Sequence, residues 1–353
     1  MTIIYFILLL TIIICLHEAG HLAAAKLFGV YCFEYSFGMG PVLFQKKGRE
    51  TVYSIRAVPV GGYVALAGET DGDESYPDVE VPPGRRLPDK PVWQRIIIML
   101  AGVTMNFLLA YLIFCMIFLW AGGFQESPTG KIESVMENSP AERAGLQAGD
   151  VITGITLSDG THFRTETFQD LQIATAMYEE GDLKLEILRG NEQLTVMVTP
   201  EYNEEYESVM IGITGGAGNI IRVNFLNCWK YGAVEMKEAA GLMLKTIGRL
   251  FRGKGLNQLS GPVGIYSATE QSVSYGFASY LFLIAELSLN IGIINLLPLP
   301  VLDGGQILIT AAEAAVHRKL NEKLKLGLMA ATWLILISLM LFVTWNDISR
   351  LIG

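Results

Sequence analysis

Three residues near the start of the chain have the types and the spacing of a hydrolytic zinc site. His17, Glu18 and His21 form an HExxH motif. On a helix, positions i and i+4 lie one turn apart on the same face, so the two histidines can bind one zinc ion while the glutamate acts on water. Residues 3–16, directly before the motif, are almost entirely apolar, and ionisable groups are costly in a membrane segment. The motif therefore predicts metal-dependent peptide hydrolysis within a membrane.

A hydrolytic zinc site needs a third protein ligand, and Asp303 is the best-placed candidate. It follows an apolar segment and a stretch that contains Pro298 and Pro300. Proline cannot continue a regular helix, and a broken helix at membrane depth is tolerated where it lines a cavity. The alternative interpretation is that Asp303 only caps the helix that begins near Gly304.

The composition indicates a membrane protein rather than a soluble domain. Of the 353 residues, 51% are hydrophobic and only 17% are charged, which is more apolar than soluble proteins usually are. The net charge of -9 argues against nucleic acid as a partner, because phosphate binding needs clustered Lys and Arg. The four cysteines are scattered along the chain, so no disulfide framework is predicted. A cleaved signal peptide is disfavoured because no Lys or Arg precedes the first apolar run.

The apolar pattern predicts four transmembrane helices, at about residues 2–30, 96–120, 280–297 and 326–343. Residues 50–67 alternate like strands around a turn at 59–63, which predicts a β-hairpin, and residues 69–90 are typical of a mobile loop. Residues 124–218 have ordinary charge density and short strand-like runs, as a separate soluble domain does. Residues 226–251 form an amphipathic pattern that fits either an interfacial helix or a helix packed on that soluble domain.

The distribution of positive charge predicts the orientation in the membrane. Two connections are rich in basic residues and are expected to be cytoplasmic. These residues are Lys46, Lys47, Arg49, Arg56, Arg85, Arg86 and Lys90 in the first connection, and Arg318, Lys319, Lys323 and Lys325 in the second. The soluble domain then lies outside the cell. His17 would lie roughly 22 Å along the first helix from its outer end, inside the membrane and nearer the cytoplasmic face.

Several motifs together resemble those of the site-2 protease family of intramembrane zinc metalloproteases, in its bacterial form with a single PDZ domain. The motifs that carry the resemblance are HEAGH at 17–21, GGY at 61–63, KPVWQR at 90–95, AGVTMNF at 101–107 with Val103 where proline is usual, the PDZ-like GLQAGDVI at 145–152, LSGPVGI at 259–265 and NLLPLPVLDGG at 295–305. They are spread over nearly the whole chain.

The resemblance implies roles for individual residues. The single zinc ion of each chain would be bound by His17, His21 and Asp303, and Glu18 would be the catalytic base. Asn295 would help to hold the substrate or the transition-state oxygen. The hairpin near Gly61 and Gly62 would present an edge to an unwound substrate strand. The resemblance also implies the substrates of the protein. These are transmembrane segments of single-span proteins, such as anti-sigma factors and remnant signal peptides, after a site-1-type protease has trimmed them.

The predicted fold class is a polytopic α-helical membrane protein with about four transmembrane helices, a membrane-associated β-hairpin and an inserted α+β PDZ domain. Its predicted parts are a first helix with HExxH at 1–30, a cytoplasmic-side hairpin and loop at 31–92, a second helix at 93–123, an extracytoplasmic PDZ domain at 124–218, an amphipathic helix and connector at 219–275, a third transmembrane segment at 276–310, and a cytoplasmic-side loop with the fourth helix at 311–353. The predicted location is the plasma or inner membrane. Two other hypotheses are a catalytically inactive PDZ-bearing scaffold, which would not need an intact HExxH motif, and a transporter, for which no inverted repeat is visible.

Overall fold

The computed structural model describes residues 1–353 except 70–74, 127–128, 166, 177, 179, 204–207, 217, 254–255, 257–258, 319 and 353. Part of the predicted mobile loop and one of the basic positions used for orientation, Lys319, therefore lie outside the described residues. The chain divides into two compact units. One unit combines Met1–Trp120 with Leu226–Gly353, and the other is Ala121–Phe225.

The described elements follow one another in a simple order. In the first part of the chain they are α1 (Thr2–Leu27), β1 (Cys32–Lys47), β2 (Val52–Leu66) and α2 (Val92–Ala121). The middle part contains β3 (Gly123–Gln125), β4 (Ile132–Val135), α3 (Pro140–Arg143), β5 (Val151–Thr156), β6 (His162–Arg164), α4 (Phe168–Ala176), β7 (Leu183–Arg189), β8 (Glu192–Val198), β9 (Glu201–Asn203), β10 (Ser208–Met210), β11 (Ile213–Gly215) and β12 (Ile220–Arg222). The last part contains α5 (Cys228–Leu250), α6 (Pro262–Tyr275), α7 (Phe277–Asn295), α8 (Asp303–Val316) and α9 (Glu322–Ile352).

Among the described residues, four helices are long and apolar enough to cross a membrane. They are α1, α2, α7 and the part of α9 from Lys323 to Ser349. Each has at least 18 residues with a strongly apolar window, and in lipid a helix satisfies its own backbone hydrogen bonds. With the β1–β2 pair and the α+β unit, these helices confirm the predicted fold class.

Helices α1, α2 and α7 share one apolar core. Leu9 and Ile13 of α1 pack in it with Phe114 of α2 and with Ile284 and Leu289 of α7. At the other end of the α1–α2 contact, Ala24 and Ala25 pack with Ile98. The two helices are therefore antiparallel, which places their buried rows opposite each other around His17 and His21.

Helix α5 packs on the transmembrane helices, which neither of its two predicted environments included. Its Ile247 belongs to the core that α1, α2 and α7 share. Its Gly232 lies so close to α2 that an added Cβ would be 2.4 Å from the sulfur of Cys115. Part of the apolar stripe that suggested an interfacial helix is thus covered by protein, although Leu244 remains exposed.

Strands β1 and β2 pair antiparallel over most of their length, with register shifts. Ser36 of β1 has two partners in β2, Ser54 and Tyr63, so two segments of β2 flank the first half of β1. The hairpin turn predicted at 59–63 is wrong: these residues lie within β2, which bends there so that both of its parts pair with β1, and Gly61 has φ +83°. The turn between the two paired strands is at 48–51. The second segment, which ends at Leu66, has its other side towards α1.

The unit Ala121–Phe225 contains a four-stranded antiparallel sheet in the order β6-β5-β7-β8. Strands β5, β7 and β8 coincide with strand-like runs of the sequence at 150–155, 183–188 and 193–198, whereas β6 was not predicted and the run at 131–135 pairs with β11 instead. Ser139 caps α3, because its hydroxyl accepts a hydrogen bond from the backbone N–H of Glu142 at 3.2 Å. We call this unit the PDZ-like insert.

Candidate functional site

The structure brings the three predicted ligand side chains to one point. The Nε2 atoms of His17 and His21 lie 3.2 Å apart. The carboxylate of Asp303 reaches both rings, with Oδ2 at 3.2 Å from the Nε2 of His17 and Oδ1 at 3.5 Å from that of His21. Both histidines are buried, at 8% and 7% exposure. Two segments from opposite ends of the chain thus meet at one cluster of donor atoms.

Close helix packing makes this approach possible. Gly20 of α1 lies against α2, where an added Cβ would be 2.4 Å from the carbonyl oxygen of Ala101. Gly102 faces the two imidazoles themselves, since a Cβ there would lie 2.3 Å from the Nε2 of His21 and 2.8 Å from the Cε1 of His17. Only glycine leaves room for both rings at this position.

Asp303 is the first residue of α8, and its side chain faces the histidines instead of capping the helix. The N-cap position is Leu302, and no side chain caps this helix end. The next two glycines allow the helix to start against the preceding loop, because a Cβ on Gly304 would be 2.2 Å from the carbonyl oxygen of Leu296. The alternative interpretation of Asp303 as only a cap does not fit this arrangement.

The donor atoms fit a zinc ion. Ligand atoms of tetrahedral zinc at about 2.1 Å from the metal are about 3.4 Å from each other, and the three separations here are 3.2, 3.2 and 3.5 Å. The Nδ1 of His21 is 2.8 Å from the carbonyl oxygen of Ile98, which leaves its Nε2 free for a metal. Among the described residues, these three form the cluster of His, Cys, Asp and Glu that could hold a metal ion.

Glu18 lies beside this cluster and lines the same cavity of about 330 Å³. Its Oε2 accepts a hydrogen bond of 3.1 Å from the backbone N–H of Val64 in β2. The catalytic-base candidate is thus held between the metal-binding cluster and the strand. Asn295, at the end of α7, also lines the cavity, and its side-chain nitrogen is 3.4 Å from the Nε2 of His17.

The strand residues that line the cavity are Val64 and Leu66. Gly61 and Gly62 lie next to Cys15, which is about one turn before Glu18 on α1. The sulfur of Cys15 is 3.9 Å from the carbonyl oxygen of Gly61. The strand that contains Gly61 and Gly62 therefore borders the cavity, but the residues of that strand next to the site are Val64 and Leu66, which were not among the predicted site residues. The alternation of residues 62–66 carried this signal, since every second residue of a strand has the same orientation.

Glu69 is a third carboxylate of the cavity, although its sequence predicts a mobile loop. It lines the cavity together with Glu18 and Asp303. Burial raises the pKa of Glu69 to about 7. Nothing in its local sequence distinguishes it from the other acidic residues of the loop, because its burial depends on the fold of β2.

Two solved structures of PDZ domains are similar to about a quarter of this chain. One is the PDZ domain of an SdrC-like protein from Listeria innocua, with 27% identity, 26% of this chain and 97% of that chain covered, and a TM-score of 0.22. The other is the corresponding domain from Listeria monocytogenes, with 22% identity, 26% and 90% covered, and a TM-score of 0.20.

Comparison with known sequences covers the whole chain. The family model described as peptidase family M50 matches residues 5–339. The zinc metalloprotease RasP of Bacillus licheniformis is 33% identical over 99% of both chains. The regulator of sigma-W protease RasP of Bacillus subtilis is 32% identical, also over 99% of both, and a putative zinc metalloprotease of Clostridium perfringens is 33% identical over 99% of this chain and 98% of that one. The chain therefore belongs to peptidase family M50, the site-2 proteases, and is an intramembrane zinc metalloprotease.

Proposed function

We propose that this protease acts in regulated intramembrane proteolysis and cleaves transmembrane segments of single-span proteins that a site-1-type protease has already trimmed. The observation that carries the proposal is a hydrolytic donor set, His17, His21 and Asp303, on helices of a membrane core. The name of the Bacillus subtilis relative, regulator of sigma-W protease, supports membrane-bound anti-sigma factors as one substrate type. Remnant signal peptides are the second type, because they too are short apolar helices.

The proposed division of labour at the site follows from the donor atoms. His17, His21 and Asp303 hold one zinc ion per chain. When bound, zinc polarises the scissile carbonyl and makes water a stronger acid. Glu18 takes the proton from the attacking water and delivers it to the leaving amine. Asn295 donates its side-chain N–H to the oxygen that becomes negative during attack; its 3.4 Å approach to the Nε2 of His17 supports this role.

The proposed binding mode solves the problem of a hydrogen-bonded substrate. A peptide bond in a membrane helix is protected by backbone hydrogen bonds, and these must be broken and replaced before hydrolysis. The segment of β2 that contains Val64 and Leu66 borders the cavity. We propose that the unwound substrate adds to this segment as a further strand, with Gly61 and Gly62 keeping the end of the segment close to α1.

The proposed location is the cytoplasmic membrane. The basic connections before α2 and after α8 are cytoplasmic in this proposal, the active site is nearer that face, and the PDZ-like insert is outside. In that position the insert would select substrates whose outer domain has been removed.

Gly149 offers a test of this selection, because its φ of +97° is unfavourable for any other residue. Gly149→Trp should leave cleavage of a pre-trimmed substrate intact and change the handling of a full-length one; equal loss on both would contradict selection.

The substitution Glu18→Gln tests the proposed chemistry. It keeps the size of the side chain but cannot accept a proton, so zinc content should stay unchanged while cleavage in proteoliposomes falls by about 100-fold or more. Glu69→Gln is the matched control, since it removes a carboxylate from the same cavity and should retain most of the cleavage. If the unaltered protein holds zinc but cleaves no single-span substrate, the inactive-scaffold hypothesis takes precedence.

A further inference from the structure

Asn106, in α2, has a buried side chain that the proposed mechanism does not use. The residue is 0% exposed, and among the described residues neither its side-chain oxygen nor its side-chain nitrogen has a hydrogen-bond partner. Its backbone is well integrated, because Ser288 donates a 2.9 Å hydrogen bond to its carbonyl oxygen. A buried amide without partners costs about 1–3 kcal/mol, so this asparagine needs an explanation other than fold stability.

His17 presents a second unsatisfied atom of complementary chemistry. Its Nδ1 is buried and also lacks a hydrogen-bond partner in the described part of the chain. His21 differs, because its Nδ1 is 2.8 Å from the carbonyl oxygen of Ile98. A metal-binding histidine almost always donates its second ring N–H to a protein group or a water, which fixes the tautomer and the ring orientation. His17 is therefore a ligand whose outer partner has to be found.

The register of the two helices points to Asn106 as that partner. Along α2, Ile98, Gly102 and Asn106 recur every four residues, so they lie on one face. Ile98 meets His21, and Gly102 lies against both rings. Because α1 and α2 are antiparallel, the next turn of α2, about 6 Å further on, is on the side of His17.

Helix α7 packs against α2 at the level of Asn106. A Cβ on Gly292 would be 3.4 Å from the Cβ of Asn106, so the amide lies against α7 at this level. About one turn later on α7, the side chain of Asn295 reaches the Nε2 of His17. Asn295 thus approaches the Nε2 of His17, while Asn106 lies about one turn of α7 away from it, on the facing helix α2.

We propose that Asn106 is a positioning residue for the metal centre. Its side-chain oxygen accepts the Nδ1–H of His17, directly or through one water, and thereby keeps the Nε2 lone pair directed at the metal. The proposal rests on the metal-binding role of His17 in the proposed function. It assigns a role to the asparagine of the AGVTMNF motif that the donor atoms themselves leave unexplained.

The test compares three variants of the purified full-length protein by competition for zinc with a chromophoric chelator. Asn106→Leu keeps the volume but removes both polar groups, and we expect zinc affinity to fall about 10- to 100-fold. Asn106→Asp keeps an acceptor at the same position and should restore most of the affinity. Ser288→Ala is the matched control, because it removes a buried hydrogen bond to the backbone of Asn106 and should leave zinc affinity within about 2-fold.

A second readout follows the proton itself. In protein labelled with ¹⁵N-histidine and loaded with zinc, the NMR signals of His17 should show a protonated Nδ1 that exchanges slowly, and Asn106→Leu should speed this exchange. Thermal unfolding of the zinc-free variants separates folding from positioning, since Leu in place of an unsatisfied amide should not lower the midpoint. Unchanged zinc affinity in Asn106→Leu, or an unprotonated Nδ1 in the unaltered protein, overturns the proposal. An unaltered protein that binds no zinc would instead refute the proposed function.

Discussion

Gly102→Ala offers a sensitive test of the metal centre, because it adds one methyl group at the contact between α2 and the two imidazoles. In the structure this Cβ would lie 2.3 Å from the Nε2 of His21, 2.7 Å from its Cε1 and 2.8 Å from the Cε1 of His17. Nonbonded carbon and nitrogen atoms need about 3.5 Å. The ring of His21 or the whole of α2 must therefore move by roughly 1 Å.

A shift of that size is incompatible with an intact zinc site. Metal–ligand distances hold within about 0.2 Å, so a displacement of about 1 Å detaches a ligand. We expect zinc affinity to fall by more than about 100-fold, since loss of an outer partner alone costs about 10- to 100-fold. The helix itself should not suffer, because alanine is about 1 kcal/mol more favourable than glycine in a helix interior.

The assay measures zinc affinity, thermal unfolding and cleavage on the same preparations. Gly327→Ala is the matched control: Gly327 also lies in a candidate membrane-spanning helix, and none of the described residues outside its own helix turn comes within 4 Å of its Cβ position. The control should bind zinc and cleave substrate as the unaltered protein does. If Gly102→Ala binds zinc as tightly as the control, then α2 does not approach the histidines as the structure has it, and the reasoning fails.

Three further predictions follow from other parts of the molecule. Purified protein should contain about one zinc ion per chain, and Asp303→Ala should lose it on dialysis, as metal analysis of both proteins would reveal; retention of zinc would exclude this ligand. Arg189 holds the pKa of Asp150 below its usual range through two 2.8 Å hydrogen bonds. This pair therefore stabilises the PDZ-like insert above the unfolded pKa of about 3.9, and the stabilisation is lost as the pH falls through the lower folded-state pKa. Asp150→Asn should lower the protection of β5 and β7 from hydrogen exchange by about 2 kcal/mol at neutral pH and remove this acid dependence; an unchanged pH profile would contradict it. Finally, a single cysteine at Asn191 should react with a membrane-impermeant reagent in intact cells and one at Arg86 should not, since the orientation depends on the basic connections; the reverse pattern would invert the topology.

The cluster of His17, His21 and Asp303 could be predicted because the local sequence around each of these residues is distinctive. The i, i+4 spacing of His17 and His21 defines a face of one helix without reference to the rest of the chain. Asp303 stood out because proline and glycine around it mark a break in an apolar segment. The sequence around Asp303 still allowed a helix cap as an alternative to a metal ligand. The tertiary structure distinguishes these two roles, because the Oδ2 of Asp303 lies 3.2 Å from the Nε2 of His17.

The residues that the sequence did not reveal depend on contacts between distant segments. Val64 and Glu69 are ordinary residues of a strand and a polar loop, and they line the cavity because β2 folds back on β1. Helix α5 was assigned to a membrane surface or to the soluble domain, because an amphipathic pattern does not identify what covers its apolar side. Periodicity specifies that a face is buried, whereas the partner of that face is set by the packing of the whole chain.

The position of Asp303 along the chain also bears on when the proposed zinc site can form during synthesis. His17 and His21 lie on the first candidate spanning helix, whereas Asp303 is translated only after three of the four. With the proposed ligand set, a growing chain carries two of the ligands before the third is made, and two ligands do not make a hydrolytic zinc site. The proposed site is therefore complete only once α8 lies beside α1, late in translation.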